Sequence, residues 1–172
     1  PDLSGGIFWL VDPLDGTKEF VHKRGEFTVN IALVENGKPT MGVIHVPVKD
    51  ETYYAYDAGE AYKVSNGGVT SKIAVREAPS EGLTVVASRS HRTPETDDFI
   101  AKFTVADLIS AGSSLKLCLL AEGKADLYPR LGRTMEWDIG AGQAILEAAG
   151  GRVETLDGVP LGYAKAGHDN PY

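Results

Sequence analysis

The chain has 172 residues, with 24 acidic and 17 basic side chains and a formal net charge of −7 at pH 7. A hydrophobic fraction of 42% and a charged fraction of 24% are those of a globular protein that buries its own core and needs no disulfide or metal merely to fold. The acidic balance argues against a nucleic-acid polymer or an anionic membrane as partner, since both attract basic patches. It does not exclude a small phosphorylated ligand, provided that a divalent cation lies between. The single cysteine, Cys118, sits among leucines and reads as core packing; it excludes an internal disulfide and a Cys-based zinc site. No apolar run approaches the ~20 residues of a membrane span.

In chain order, the apolar run 7–11 predicts a buried strand that stops at Asp12-Pro13-Leu14-Asp15-Gly16-Thr17. Residues 26–35 alternate, with Phe27, Val29, Ile31 and Leu33 on one face and Thr28, Asn30 and Ala32 on the other, as in a half-buried strand. Asn36-Gly37 is a hairpin signal and 41–48 the returning strand. Residues 52–56 and 61–64, joined by the turn Asp57-Ala58-Gly59, complete an antiparallel meander. A linker at 79–82 separates a first lobe, 1–78, from a second, 83–172, of mixed α and β character. There the pattern predicts strands at 83–87, 125–128 and 152–155 and a helix at 94–103. It predicts a second helix at 115–122, capped by Ser113-Ser114, and a glycine- and alanine-rich one at 137–149.

Asp12 and Asp15 lie at the end of the first strand. Pro13 restricts Asp12 to extended backbone and Gly16 allows a tight turn, so both carboxylates can face one space. Oxygen ligands of this kind suit Mg²⁺ accompanied by phosphate oxygens. The amides of Gly16 and Thr17 and the Thr17 hydroxyl are placed to hold a phosphate. Three other motifs do not fit. The haloacid-dehalogenase nucleophile needs its aspartates two residues apart. An EF-hand starting at Asp12 would need Glu where Lys23 stands. Gly140-Ala141-Gly142-Gln143-Ala144-Ile145 is an incomplete dinucleotide fingerprint with no strand before it.

Trp9-Leu10-Val11-Asp12-Pro13-Leu14-Asp15-Gly16-Thr17, together with Trp137-Asp138-Ile139-Gly140-Ala141-Gly142 and Ala149-Gly150-Gly151, resembles the two signatures of the inositol-monophosphatase-like, lithium-sensitive phosphatases. The resemblance spans essentially the whole chain. Lys18-Glu19-Phe20, Gly25-Glu26-Phe27-Thr28-Val29-Asn30-Ile31-Ala32, Ser88-Arg89-Ser90-His91, Gly112-Ser113-Ser114-Leu115-Lys116 and Ala125-Asp126-Leu127-Tyr128-Pro129-Arg130 narrow it to the bacterial 3′(2′),5′-bisphosphate nucleotidases of the CysQ type.

The resemblance implies an αβαβα sandwich with a mostly antiparallel central sheet, partial in this chain. It implies that Asp12, Asp15 and Asp138 bind Mg²⁺ through carboxylates and Leu14 through its carbonyl, two or three ions filling the intact site. Gly16 and Thr17 would bind the scissile phosphate, Thr17 also orienting the attacking water. His91, Ser113, Lys116 and Arg130 would contact the nucleotide. The implied reaction converts 3′-phosphoadenosine 5′-phosphate to AMP and phosphate, clearing a by-product of sulfate assimilation. The implied setting is cytoplasmic, at most peripheral to the inner membrane, with room for a homodimer. Family members carry a helical segment before the first signature, with an acidic metal ligand and an Asp that activates the water, and a last strand beyond Asn170-Pro171-Tyr172. The chain is therefore expected to be an internal piece of a larger enzyme, inactive alone and with a bare apolar sheet face that favours self-association. The alternatives are an inositol monophosphatase or sugar bisphosphatase with the same metal motifs, or a piece that only binds. Trp9 and Trp137 are expected to be core aromatics beside the site.

Overall fold

A computed structural model of the chain describes residues 6–56, 59–65 and 67–171. The strands are β1 (Ile7–Asp15), β2 (Thr28–Glu35), β3 (Lys38–Val46), β4 (Glu51–Tyr56), β5 (Ala61–Ser65), β6 (Val69–Ile73), β7 (Leu83–Ser88) and β8 (Val105–Ala111). The α-helices are α1 (Thr17–Val21), α2 (Pro94–Ile100), α3 (Leu115–Ala121) and α4 (Glu136–Ala148). β1 to β6 form one antiparallel sheet whose spatial order is the chain order, which is the expected meander with β6 added. Asn36 and Gly37 both take positive φ, 51° and 76°, as a two-residue hairpin turn requires. Asp57 and Ala58 of the predicted β4–β5 turn lie outside the described residues.

The period of β2 is as expected but its sign is reversed. Thr28, Asn30, Ala32 and Val34 are buried, whereas Val29 and Leu33 are half-buried and Ile31 is exposed. The cause is α4, which lies across the face bearing the small residues. A Cβ at Gly42 would fall 2.3 Å from the Ala141 carbonyl oxygen, and one at Gly140 would meet Leu10 at 3.2 Å and Ala32 at 3.4 Å. Backbone approach of this kind leaves no room for the larger residues, which take the other face. Residues 7–11 are accordingly not a buried strand: Leu10 is buried, but Ile7, Trp9 and Val11 are more than half exposed. Trp9 is thus no core aromatic, while Trp137 is half-buried and packs on the core.

In the second half β7 and β8 pair in parallel, with α2 in the crossover that such pairing needs. The predicted strands at 125–128 and 152–155 reduce to the single bridges Val85–Leu127 and Glu154–Pro160. Residues 74–82 connect β6 to β7 without strand or helix. α3 and α4 return to the large sheet, so that Leu115, Leu117, Cys118, Ile145 and Leu146 share one core with Leu10, Ala32, Ile44 and Val46. Lys63, reaching Glu51 at 2.8 Å and Glu122 at 3.1 Å, ties β5 to the start of β4 and to the end of α3. No helix among the described residues is long and apolar enough to cross a membrane.

Candidate metal and phosphate site

β1 does not stop before Asp12; it runs to Asp15 through a bulge. Asp12 pairs with Asn30 and Asp15 with Thr28, so three steps on β1 face two on β2. Strict alternation would send Asp12 and Asp15 to opposite faces; the extra residue returns both to the face covered by α4. Pro13, with no N–H to give to a ladder, stands where the ladder is interrupted. The Leu14 amide donates to Asp12 Oδ1 at 3.0 Å, closing a local turn, and Gly16 at φ 83° leads directly into α1.

Asp138 comes from α4, which begins at Glu136, one residue before the predicted start. Asp138 is the third helical residue, and its Oδ2 accepts the Met135 amide at 2.8 Å, so it caps the helix from within. One carboxylate oxygen from each of Asp12, Asp15 and Asp138 lies within 4.8 Å of the others. Burial pushes the Asp12 carboxyl up to about 6 against the pull of the Leu14 amide, and the charges of Asp15 and Asp138 add to the rise. Burial likewise raises Asp138, opposed by the Met135 amide and reinforced by Asp15. Half-buried carboxylates at this spacing repel one another, and a hard cation offsets that repulsion. The all-oxygen donor set fits Mg²⁺ or Mn²⁺.

Asp15 is held from behind by residues that sequence reasoning did not single out. Its Oδ2 accepts the Ser114 amide and the Ser114 hydroxyl, both at 2.6 Å, Asn30 Nδ2 at 3.2 Å and the Thr28 hydroxyl at 3.4 Å. Ser114 does stand at the start of α3, but its side chain makes no capping bond; its hydroxyl donates to the Asp15 carboxylate instead. The available signal was a run of polar residues, Thr28 and Asn30, on the strand paired with the acidic turn.

A cavity of about 290 Å³ opens beside the cluster. Asp15, Gly16, Thr17, Glu19 and Asp138 line it, and so do Lys18, His91, Lys116 and Arg130. Lys116 is buried, with Nζ donating to the Ser113 carbonyl and lying 5.1 Å from the Tyr128 ring centroid. Burial lowers its pKa to about 8, against the pull of Asp15. The Arg130 guanidinium donates to the carbonyls of His91 and Arg133 and forms no ion pair among the described residues. Burial and the charges of Arg130 and Lys18 depress His91. Ser113 also lines the cavity, but its hydroxyl donates to the Glu26 carbonyl at 2.6 Å. Thr17 Oγ1 lies 3.4 Å from the Leu14 carbonyl. A larger cleft of about 690 Å³ is lined by Phe99, Phe103 and Leu120; its acidic residues Asp126 and Glu154 pair with Arg76 and Arg152, leaving no free carboxylate cluster among the described residues.

The model of the inositol monophosphatase family matches residues 3–169. The chain belongs to that family. The 3′(2′),5′-bisphosphate nucleotidase CysQ of Salmonella typhimurium is 51% identical over 156 residues, covering 91% of this chain and 62% of that protein. Its Escherichia coli K12 counterpart is 49% identical over the same length and coverage. The chain therefore spans about 62% of the length of these curated relatives. Among solved structures, CysQ from Bacteroides thetaiotaomicron matches with a TM-score of 0.86 at 47% identity, covering 96% of this chain and 68% of that one. An inositol monophosphatase from Zymomonas mobilis matches at 0.79 with 28% identity, covering 96% and 64%. The fold is that of the inositol monophosphatase family, with its antiparallel sheet present.

Proposed function

We propose that this member of the family acts as a metal-dependent hydrolase of a nucleotide carrying two phosphates, 3′-phosphoadenosine 5′-phosphate being the fitting substrate and AMP and phosphate the products. The observation that carries this reading is one cavity lined both by carboxylates of the cation cluster and by several cationic side chains. Asp15 and Asp138 belong to the cluster that can hold a cation and so the phosphate to be cleaved, while Lys18, Lys116, Arg130 and His91 offer positive charge and donors to a second anion. A monophosphorylated polyol such as inositol 1-phosphate has no second phosphate to use those cations. The relationship to CysQ proteins at about 50% identity supports the same choice.

Asp12, Asp15 and Asp138, with the Leu14 carbonyl, would hold Mg²⁺. When bound, Mg²⁺ supplies a low-pKa water and neutralises charge on the phosphoryl oxygens. The chain's own residues do the rest. Gly16 and Thr17, at the start of α1, border the place of the scissile phosphate, and the Thr17 hydroxyl is positioned by the Leu14 carbonyl. Asp15 is fixed in one orientation by its four donors. Lys116 and Arg130, neither ion-paired among the described residues, keep their charges for the remote phosphate. Hydrolysis then forms a bond from a water oxygen to phosphorus and breaks the bond between phosphorus and the ribose oxygen, which leaves with a proton from that water, and no covalent enzyme intermediate is required.

The test is phosphate release with Mg²⁺ by the protein at the full length of its curated relatives, comparing 3′-phosphoadenosine 5′-phosphate with inositol 1-phosphate, each with and without lithium. The expected result is strong preference for the nucleotide, suppressed by lithium. Preference for the inositol ester would keep the metal site and overturn the substrate.

A further inference from the structure

We infer that Ser114 is a positioning residue for metal binding, acting through Asp15 and not by touching metal or substrate. The inference rests on the reading of Asp12, Asp15 and Asp138 as cation ligands. One oxygen of Asp15, Oδ2, takes all four protein donors; among the described residues none reaches Oδ1. Two of the four donors belong to Ser114, and they are the two shortest at 2.6 Å.

The hydroxyl is itself held. Asn30 Nδ2 donates to Ser114 Oγ at 2.9 Å while its amide group also reaches Asp15 Oδ2, which engages the nitrogen with both. With a lone pair of Oγ occupied, the single hydroxyl proton points away from Asn30. Two acceptors stand there, Asp15 Oδ2 at 2.6 Å and the Asp138 carbonyl at 2.8 Å. A charged acceptor draws the proton more strongly than a neutral one, so Asp15 takes the larger share. Ser114 thereby touches two residues of the acidic cluster at once, the side chain of Asp15 on β1 and the backbone of Asp138 on α4. Ser114 and Asn30 are both buried, 4% and 1% exposed, so little of either side chain is open to water.

Saturating one carboxylate oxygen fixes the rotamer and leaves the other as the donor toward Asp12 and Asp138. Ordering Asp15 before the cation arrives removes that entropy cost from binding. Loss of such outer partners lowers metal affinity by about 10- to 100-fold in other metal sites.

The experiment is isothermal titration of the full chain with Mn²⁺, in wild type and in Asp15→Asn, Ser114→Ala, Ser114→Thr and Asn30→Leu. Wild type is expected to bind and Asp15→Asn to lose binding. Ser114→Ala should weaken the Kd by about 10- to 100-fold, and Ser114→Thr, which keeps amide and hydroxyl, should restore it. Asn30→Leu fills the same space without its two donors and should also weaken binding, so it decides the matter if Ser114→Ala fails to fold. Wild-type affinity in both Ser114→Ala and Asn30→Leu would overturn the role of the network. Equal losses in Ser114→Ala and Ser114→Thr would assign the effect to packing and overturn the role of the hydroxyl. If wild type itself takes up no Mn²⁺, the metal reading falls and this inference with it.

Discussion

Gly42→Ala tests how the acidic cluster is held together. Gly42 lies in β3 directly beneath α4, and an added Cβ would sit 2.3 Å from the Ala141 carbonyl oxygen, 3.0 Å from its carbonyl carbon and 3.1 Å from its Cα. All three are backbone atoms, so no side chain can turn aside. Ordinary contact begins near 3.4 Å, and α4 must therefore lift by about 1.1 Å or tilt. Overpacking of this kind destabilises by about 1–3 kcal/mol, and a clash with backbone belongs at the upper end. For a chain of this size that lowers Tm by about 5–10 °C. Asp138 stands on α4 one turn from Ala141, so the same shift carries it away from Asp12 and Asp15. A misplacement of about 1 Å costs on the order of 100-fold in activity. The assay is thermal unfolding followed by circular dichroism, with Mn²⁺ titration alongside. Gly162→Ala is the control, because a Cβ there meets nothing within 4 Å. If Gly42→Ala melts and binds Mn²⁺ as the control does, the reasoning that backbone approach seats α4 is refuted.

Asp15→Asn should abolish metal-dependent turnover and leave the circular dichroism spectrum unchanged; near-normal activity would sink its role as a ligand. Lys116→Gln should raise the KM for the nucleotide by about 10- to 100-fold, the range of a lost charged hydrogen bond, and leave a small phosphate ester nearly unaffected. In wild type, KM should rise as pH passes about 8, where Lys116 gives up its proton, and this limb should be absent from Lys116→Gln. Stability should move the opposite way: between about pH 8 and the ordinary lysine range the unfolded chain holds a proton that the native chain does not, so stability from this group is gained as pH rises. A stability curve that falls through that window, once compared with Lys116→Gln, would contradict the assignment. Ile31 and Val43 face each other on the open side of the sheet. The pair Ile31→Glu with Val43→Lys should increase the monomer fraction in sedimentation velocity, and an unchanged distribution would show that this face does not drive self-association.

The meander was legible because strand alternation and the Asn36-Gly37 turn are local signals. Which face of β2 is buried was not, because that depends on a helix more than one hundred residues later and on Gly42 and Gly140 letting it approach. Hydrophobicity alone favoured Val29, Ile31 and Leu33; the close packing of α4 favoured Ala32 and Gly42. β8 went unread because Asp107 and Ser110 interrupt the apolar run of residues 105–111, most of which the strand leaves exposed or half-buried. The acidic cluster was legible through the two family signatures. Its geometry was not, since the bulge that brings Asp15 to the side of Asp12 is a property of the β1–β2 register. Ser114 was read as a helix cap, its common use, and only the fold reveals that a carboxylate 99 positions away claims its hydroxyl.

That separation gives the site a place in time. Each strand of the large sheet neighbours the next in sequence, β2 to β6 over short turns and β1 to β2 across residues 16–27, so its contacts are local and form quickly. Asp15 is synthesised 99 residues before Ser114. At a translation rate of about 5–20 residues per second, roughly 5–20 s pass between the two. Once made, the nascent meander carries Asp12 and Asp15 without Ser114 beside them or α4 above them until residues 114 and then 136–148 have followed. The cation site is thus among the last features to be completed, and uptake of metal by a growing chain would mark the arrival of α4 on the sheet.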